Sequence, residues 1–302
     1  MTKLGSEFHI PVMVNEVISY LIPSKPLLMI NDKQPMFIDA TVGGGGHAQA
    51  LLENISQGIV VGLDCDTDAI KYTKTLMKKY DNFYLFHANY TDIDKIISEF
   101  PNHYVQGVLF DLGLSYHQIT TPHRGFSYNS DGPLDMRFNQ SKRSKTAKEI
   151  IQRSPLPELK RIFVEYGEER FANKIATHLF NRRHEIKTAS DLSESIKQII
   201  PSYKQNKILA RIFQALRIEV NQELENIKLG LRKAIQIMSC GARIVVISYH
   251  SLEDRIVKQM FRKNAEMKIL KILTKKPLCP EPVEVLSNSS ARSARFRASE
   301  KI

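Results

Sequence analysis

The chain has no tryptophan and only three cysteines, and its apolar runs are as short as Ile59–Leu63 and Ile244–Ile247. A membrane-crossing helix needs ~20 consecutive apolar residues, so none is expected. Residues 1–11 lack the basic and apolar regions of a secretory leader and are not an Arg-rich amphipathic presequence. Cys65, Cys240 and Cys279 are too few and too far apart for a disulfide framework or a CxxC site. That usage suits a reducing compartment, and the expected location is the cytoplasm. The nine histidines show neither HxxxH nor HExxH spacing, so no metal site is expected.

What is present describes a globular protein. Of 302 residues, 42% are apolar and 25% charged. This is ordinary soluble composition, with enough apolar material for a large core, and it excludes intrinsic disorder. The length suits roughly two domains. The net charge is +11 and is unevenly spread. Residues 1–141 carry 10 basic and 15 acidic side chains, and the remainder carries 33 and 17. A basic half on such a chain favours a polyanionic partner.

The first third alternates strand and helix patterns. Strands are expected at Met36–Asp39, Ile59–Asp64, Phe83–Phe86 and Val105–Asp111, with helices at His47–Glu53 and Asp68–Tyr80 between them. That alternation predicts a parallel α/β sheet with right-handed crossovers. Residues 115–145 are rich in Gly, Pro, Ser and Asn and read as a long loop of the kind that carries function. Helical patterns follow, including one capped by Ser190, and they form an inserted helical subdomain. Another helix, from Leu209 to Val220, returns to the α/β body. Leu224–Met238 forms an amphipathic helix stopped by Gly241. A strand at Ala242–Ser248, a helix at Ser251–Phe261 and a strand at Ala294–Arg297 complete the chain. The expected division is 1–114 with 213–302 as one domain and 115–212 as the insert.

The strongest chemical signal is Asp39-Ala-Thr-Val-Gly43-Gly-Gly-Gly46-His47, between a strand and a helix. Glycines there admit a ligand close to the backbone, and the helix start offers free N–H groups. Asp64 ends the next strand, where a carboxylate can accept both hydroxyls of a ribose. Gly43-x-Gly45-x-x-Ala48 formally fits a dinucleotide fingerprint and keeps a nicotinamide oxidoreductase as a rival. Asp39, just before the glycines, suits a cationic ligand such as a sulfonium better than a pyrophosphate. Asp111 ends a further strand, beside the expected reactive end of the cofactor. His117, His123 and His250 are acid–base candidates. In the loop, Arg124, Phe126, Tyr128 and Arg137 have the aromatic and cationic mix to stack and clamp a base; alternatively, Phe126 and Met136 merely pin the loop to the core. The Arg292–Arg297 tail can grip phosphates or simply face water. A non-catalytic RNA-binding protein is the second rival.

Eight segments in fixed order carry a family resemblance: His9–Val12, Asp39–His47, Asp111–Ser115, Arg124–Ser127, Asp131–Arg137, Tyr166–Phe171, Phe213–Ile218 and Ser248–Arg255. Together they closely resemble the bacterial ribosomal RNA small-subunit methyltransferase H family, also called MraW, from His9 to Arg297. Asp-Gly-Pro-Leu-Asp-Met-Arg and His-Ser-Leu-Glu-Asp-Arg are the most specific. The chain departs from the family pattern at Tyr116-His117, before Phe213 and at Ser289-Ser290.

The resemblance implies a Rossmann-like class I methyltransferase fold with a mostly parallel sheet and an inserted all-helical subdomain. It implies an S-adenosylmethionine-dependent enzyme that methylates the exocyclic N4 of one cytidine in small-subunit ribosomal RNA, near the decoding centre. The partner would be that RNA or the small ribosomal subunit, with no membrane involved; monomer and homodimer both stay open. Carried over by motif, the cofactor residues would be Gly45, Gly46, His47, Asp64, Tyr90, Asp111 and Gln118. Tyr90 would pack near the adenine. Asp111, then His250, are the candidates to accept the proton from the amino group.

Overall fold

The computed structural model describes residues 10–23, 32–141 and 143–302. His9, first in the His9–Val12 motif, lies outside the described residues. The chain forms two compact units: residues up to Tyr116 together with Leu224–Ile302, and His117–Glu223.

The first unit is built on seven strands: β1 (Gln34–Asp39), β2 (Ile59–Asp64), β3 (Phe83–His87), β4 (His103–Asp111), β5 (Met238–Ser248), β6 (Leu270–Ile272) and β7 (Arg295–Lys301). Their order is β3-β2-β1-β4-β5-β7-β6. The first five are parallel, and β7 runs antiparallel to both β5 and β6. Helices α1 (Val14–Leu21), α2 (Gly46–Asn54), α3 (Thr67–Leu76) and α4 (Ile93–Ile97) interleave with the first four strands. α5 (Tyr116–Thr120) leads into the second unit, which holds α6 (Ala147–Arg153), α7 (Leu156–Glu165), α8 (Ala172–Asn181), α9 (Ala189–Lys197) and α10 (Gln205–Asn221). α11 (Glu223–Ile237) and α12 (Ser251–Glu266) flank β5, and α13 (Pro282–Ser287) precedes β7. No described helix is long and apolar enough to cross a membrane.

The strands are apolar throughout because both sheet faces are covered. Met36 and Ile38 enter one buried cluster with Val61, Phe110, Leu231 and Phe261. Phe37, one residue out of phase, enters another with Leu21, Leu51, Val245 and Phe296. This is a Rossmann-like, doubly wound sheet with one antiparallel strand, β7, next to β5. Strands run outward in both directions from β1 and β4, so the topological switch point lies between those two.

Gly241 does not stop α11, which ends at Ile237. It sits inside β5 with φ +80°, where the register against β4 slips between Val105 and Gly107. A left-handed residue suits such a bulge. β6 escaped the sequence reading because it is three residues long, and its pairing with β7 is non-local.

In the second unit, Leu159, Ile162, Phe163, Ile175, Leu179, Leu192, Ile196, Ile212 and Leu216 are buried. The cap of α9 is Thr188, not Ser190: Thr188 Oγ1 accepts from the Asp191 N–H, and Asp191 reaches back to the Thr188 N–H. The 117–145 stretch is organised from within. Arg124 is 1% exposed and donates through Nη2 to the carbonyls of Arg137 (3.1 Å) and Phe138 (3.0 Å). Phe126 stacks on Phe138, and Tyr128 meets Phe213 edge-on. Of the two readings for these side chains, the structure favours pinning. α10 also belongs here by its bonds. Asn221 grips the Met136 carbonyl (2.7 Å) and the Phe138 N–H (2.8 Å), and Glu219 pairs with Arg161 of α7. The expected return to the α/β body at Phe213 thus falls inside this helix.

Candidate active site

Three carboxylates stand at the carboxyl ends of three adjacent strands. Asp39 pairs in register with Gly62 of β2 and Leu109 of β4, so Asp64 and Asp111 each lie two residues beyond it on either side. Asp39 is fully buried. Its Oδ1 accepts from the Thr41 N–H (3.3 Å), and its Oδ2 has no hydrogen-bond partner among the described residues. Burial raises its pKa to about 8, with smaller contributions from Asp111 and Asp64. A buried carboxyl raised in this way gains from a cation nearby, which favours its charged form.

Asp64 holds the glycine turn. Its Oδ2 accepts from the Gly43 N–H (2.9 Å) and its Oδ1 from the Asp66 N–H (2.8 Å). Burial lifts its pKa to about 6. Thr73 Oγ1 donates to the Gly43 carbonyl, fixing the same turn from α3. The glycines divide by role. A Cβ on Gly45 would come within 2.7 Å of Met77, and one on Gly46 within 2.7 Å of Pro11. A Cβ on Gly43 would meet only the Thr41 carbonyl oxygen, at 3.8 Å. Gly45 and Gly46 therefore serve close packing, and Gly43, absent from the carried-over set, leaves open space at the turn.

Asp111 is held from three directions. Its N–H donates to Thr41 Oγ1 (2.7 Å), its Oδ1 accepts from the Tyr249 hydroxyl (2.8 Å), and its Oδ2 lies 3.6 Å from His47 Nδ1. His47 is buried, with Nε2 2.9 Å from the Val12 carbonyl. It sits behind Asp111 as a positioning group. Tyr249 is the residue that sequence reading missed. It lies inside the quoted Ser248–Arg255 motif, but nothing local shows that it reaches 138 residues back to Asp111. Burial, then the Asp111 charge, raises the Tyr249 pKa well above its ordinary value, so it stays a hydroxyl donor.

The other candidates are more dispersed. Tyr90 follows β3 in a single 3-10 turn, meets Phe110 edge-on at 5.5 Å and lies against the backbone of α11 at Gly230. His250 caps α12: its Nδ1 accepts from the Glu253 N–H (3.5 Å), and Glu253 accepts in turn from the His250 and Tyr249 N–H groups. Gln118 is buried on α5, in the second unit. His117 is near Thr121 in that unit. The site as built in the first unit is thus Asp39, Gly43, Asp64, Asp111, His47 and Tyr249. It suits a ligand with a positive charge and adjacent hydroxyls.

Comparison with known proteins gives the chain a family. A family model described as the MraW methylase family matches residues 6–302. A protein from Caldicellulosiruptor saccharolyticus named ribosomal RNA small subunit methyltransferase H is 41% identical, covering 97% of this chain and 99% of its own. One of the same name from Pseudothermotoga lettingae is 40% identical, over 97% of this chain and 98% of its own. Among solved structures, an rRNA methylase from Streptococcus thermophilus is 10% identical over 91% of this chain and 90% of its own, with a TM-score of 0.42.

Proposed function

The chain belongs to the MraW methylase family, and from that premise we propose that it methylates the exocyclic N4 of one cytidine in small-subunit ribosomal RNA near the decoding centre. The names of the full-length relatives support the RNA class. The observation that carries the reaction type is the Asp111 carboxylate, fixed by Tyr249 and His47 at the switch point of the sheet.

The cofactor is S-adenosylmethionine, which supplies a methyl group on a sulfonium. The residues present fit it. Asp39 leaves one buried carboxylate oxygen without a partner, which favours a cation close by, and Asp64 has lone pairs left for a ribose diol beside the open Gly43 turn. Gly45, Gly46 and His47 begin the helix that follows that turn, and Tyr90 is the residue assigned to the adenine.

The amino nitrogen of cytosine is a poor nucleophile because its lone pair is shared with the ring. Asp111 accepts a hydrogen bond from that amino group, localises the lone pair and then takes the proton. Tyr249 donates to Asp111 Oδ1 and His47 Nδ1 lies 3.6 Å from Oδ2, so the carboxylate is held in one orientation. Holding the reacting atoms in line can supply ~7–11 kcal/mol of the barrier. His250 positions Tyr249 through the start of α12 and stays the second candidate for the proton. The target base must be unstacked or single-stranded to present N4. The helical insert supplies further shape and charge for the RNA, and Gln118 belongs to the same reading.

The test is transfer of label from S-adenosylmethionine to small ribosomal subunits from cells lacking this activity, followed by nucleoside analysis. Label in N4-methylated cytidine is expected. Label on another base overturns the N4 assignment, and no label overturns the substrate.

A further inference from the structure

By sequence, α12 carries four basic and three acidic side chains and looks nearly neutral. The fold sorts them. Glu253 is fully buried, accepting from the Tyr249 N–H (2.8 Å). Asp254 is also turned inward, against Arg297 (2.6 and 3.2 Å) and Arg295 (3.3 Å) on β7. Arg255, Lys258, Arg262 and Lys263 are all exposed. Arg255, Lys258 and Arg262 follow at i, i+3 and i+7, so they line one face over about 10 Å.

The exposed face differs from those of α7, α9 and α11. On α7, Arg161 is paired with Glu158 and Glu165; on α9, Lys197 with Glu194; on α11, Lys228 with Glu225. Lys258, Arg262 and Lys263 make no ion pair among the described residues. Beyond the helix, Lys268 and Lys271 are exposed too, and from 255 to 276 the only acidic side chain is Glu266. A merely solvated helix face gains from carboxylates one turn away; here Glu253 and Asp254 are drawn inside, and only Glu266, the last residue of the helix, faces water. The row also has a fixed origin. α12 starts at Ser251, two residues after Tyr249, whose hydroxyl holds Asp111.

We propose that the outward face of α12 is the track for the RNA backbone flanking the target base, with Lys258, Arg262 and Lys263 each neutralising a phosphate. This deepens the reading of the protein as an rRNA methyltransferase and rests on it. Lys258 to Lys263 covers ~7.5 Å of helix, and a strand advances ~3.4 Å per nucleotide, so the three side chains span about two nucleotide steps, room for three phosphates. The track places RNA contact on the catalytic unit itself, beside any made by the helical insert. Asp254 is then a positioning residue: by holding Arg297 and Arg295 it keeps its charge off the track.

The test uses the full chain with Lys258→Gln, Arg262→Gln and Lys263→Gln combined, and a control of equal charge loss, Lys71→Gln, Lys74→Gln and Lys78→Gln, on exposed positions in and just after α3. The readouts are binding of purified small-subunit rRNA from 50 to 200 mM salt, steady-state methylation of small subunits, and calorimetry with S-adenosylmethionine. Loss of three phosphate contacts should flatten the slope of log affinity against log salt by about 2, so the wild type loses about 20-fold more affinity across that range than the triple variant. KM for the subunits should rise at least about tenfold, with kcat within about twofold and cofactor affinity unchanged. A slope and KM equal to wild type, or equal to the control, overturn the track. Wild-type protein that binds rRNA but transfers no methyl overturns the activity, and the slope difference then still decides the surface.

Discussion

Replacing Asp39 with asparagine should change how stability depends on pH, and the sign follows from the geometry. Asp39 is fully buried, and its pKa is raised from 3.8 to about 8. Below pH 3.8 both folded and unfolded chains hold the proton. Between there and about 8 the unfolded chain gives it up first, so stability falls as pH rises. At ~1.36 kcal/mol per unit, the loss reaches about 4 kcal/mol at pH 7. Asp39→Asn removes this loss but places an amide donor where Oδ2 lacks a partner, at a cost of ~1–3 kcal/mol. The variant should therefore be less stable than wild type at pH 4 and more stable at pH 7, the difference moving by about 4 kcal/mol between them. Urea unfolding of the cofactor-free proteins at four pH values reads this directly. A difference constant to within about 1 kcal/mol refutes the buried-acid argument. The same charge logic predicts that S-adenosylmethionine binding at pH 7 releases close to one proton in wild type and less in Asp39→Asn. Calorimetry in buffers of different ionisation enthalpy measures that number.

Other outcomes follow from the same contacts. Asp64→Ala frees the Gly43 N–H and removes the ribose acceptor, so cofactor affinity should fall at least about a hundredfold with the circular dichroism spectrum retained; unchanged affinity by calorimetry removes Asp64 from the site. Asp111→Asn should lower kcat strongly with the fold intact, and full activity would exclude Asp111 as the proton acceptor. Tyr249→Phe deletes one hydrogen bond to a carboxylate, worth ~1.5–3 kcal/mol, and should cost about ten- to a hundredfold in kcat with little change in cofactor binding. Wild-type kcat and an unmoved pH profile would show that Tyr249 merely packs. Asp254→Asn leaves Arg297 buried without its charge partner and should destabilise by ~3–5 kcal/mol in thermal or urea unfolding; a loss under about 1 kcal/mol would show that water reaches the pair.

The sequence by itself determined the elements whose signals are local. Strand periodicity, the glycine run and the terminal aspartates placed β1, β2 and β4 with the three carboxylates at their ends. Parallel pairing with crossovers puts such ends on one edge, which is why Asp39, Asp64 and Asp111 could be grouped before any coordinates. The helical periodicities after residue 145 showed the insert, and the family motifs added the expected cofactor and substrate. Tertiary structure decided everything that depends on long-range partners. Tyr249 reaches Asp111 because β5 lies beside β4. His47 turns inward because the Val12 carbonyl meets one ring nitrogen and Asp111 lies beside the other. Gly241 became a bulge because β5 extends past it against β4. Arg124 and Phe126 took internal partners, and α10 bonded to the loop through Asn221, neither of which a window of neighbouring residues contains. On α12, periodicity shows where charges fall around a helix, but only the strand opposite, with Arg295 and Arg297, decides which of them face water.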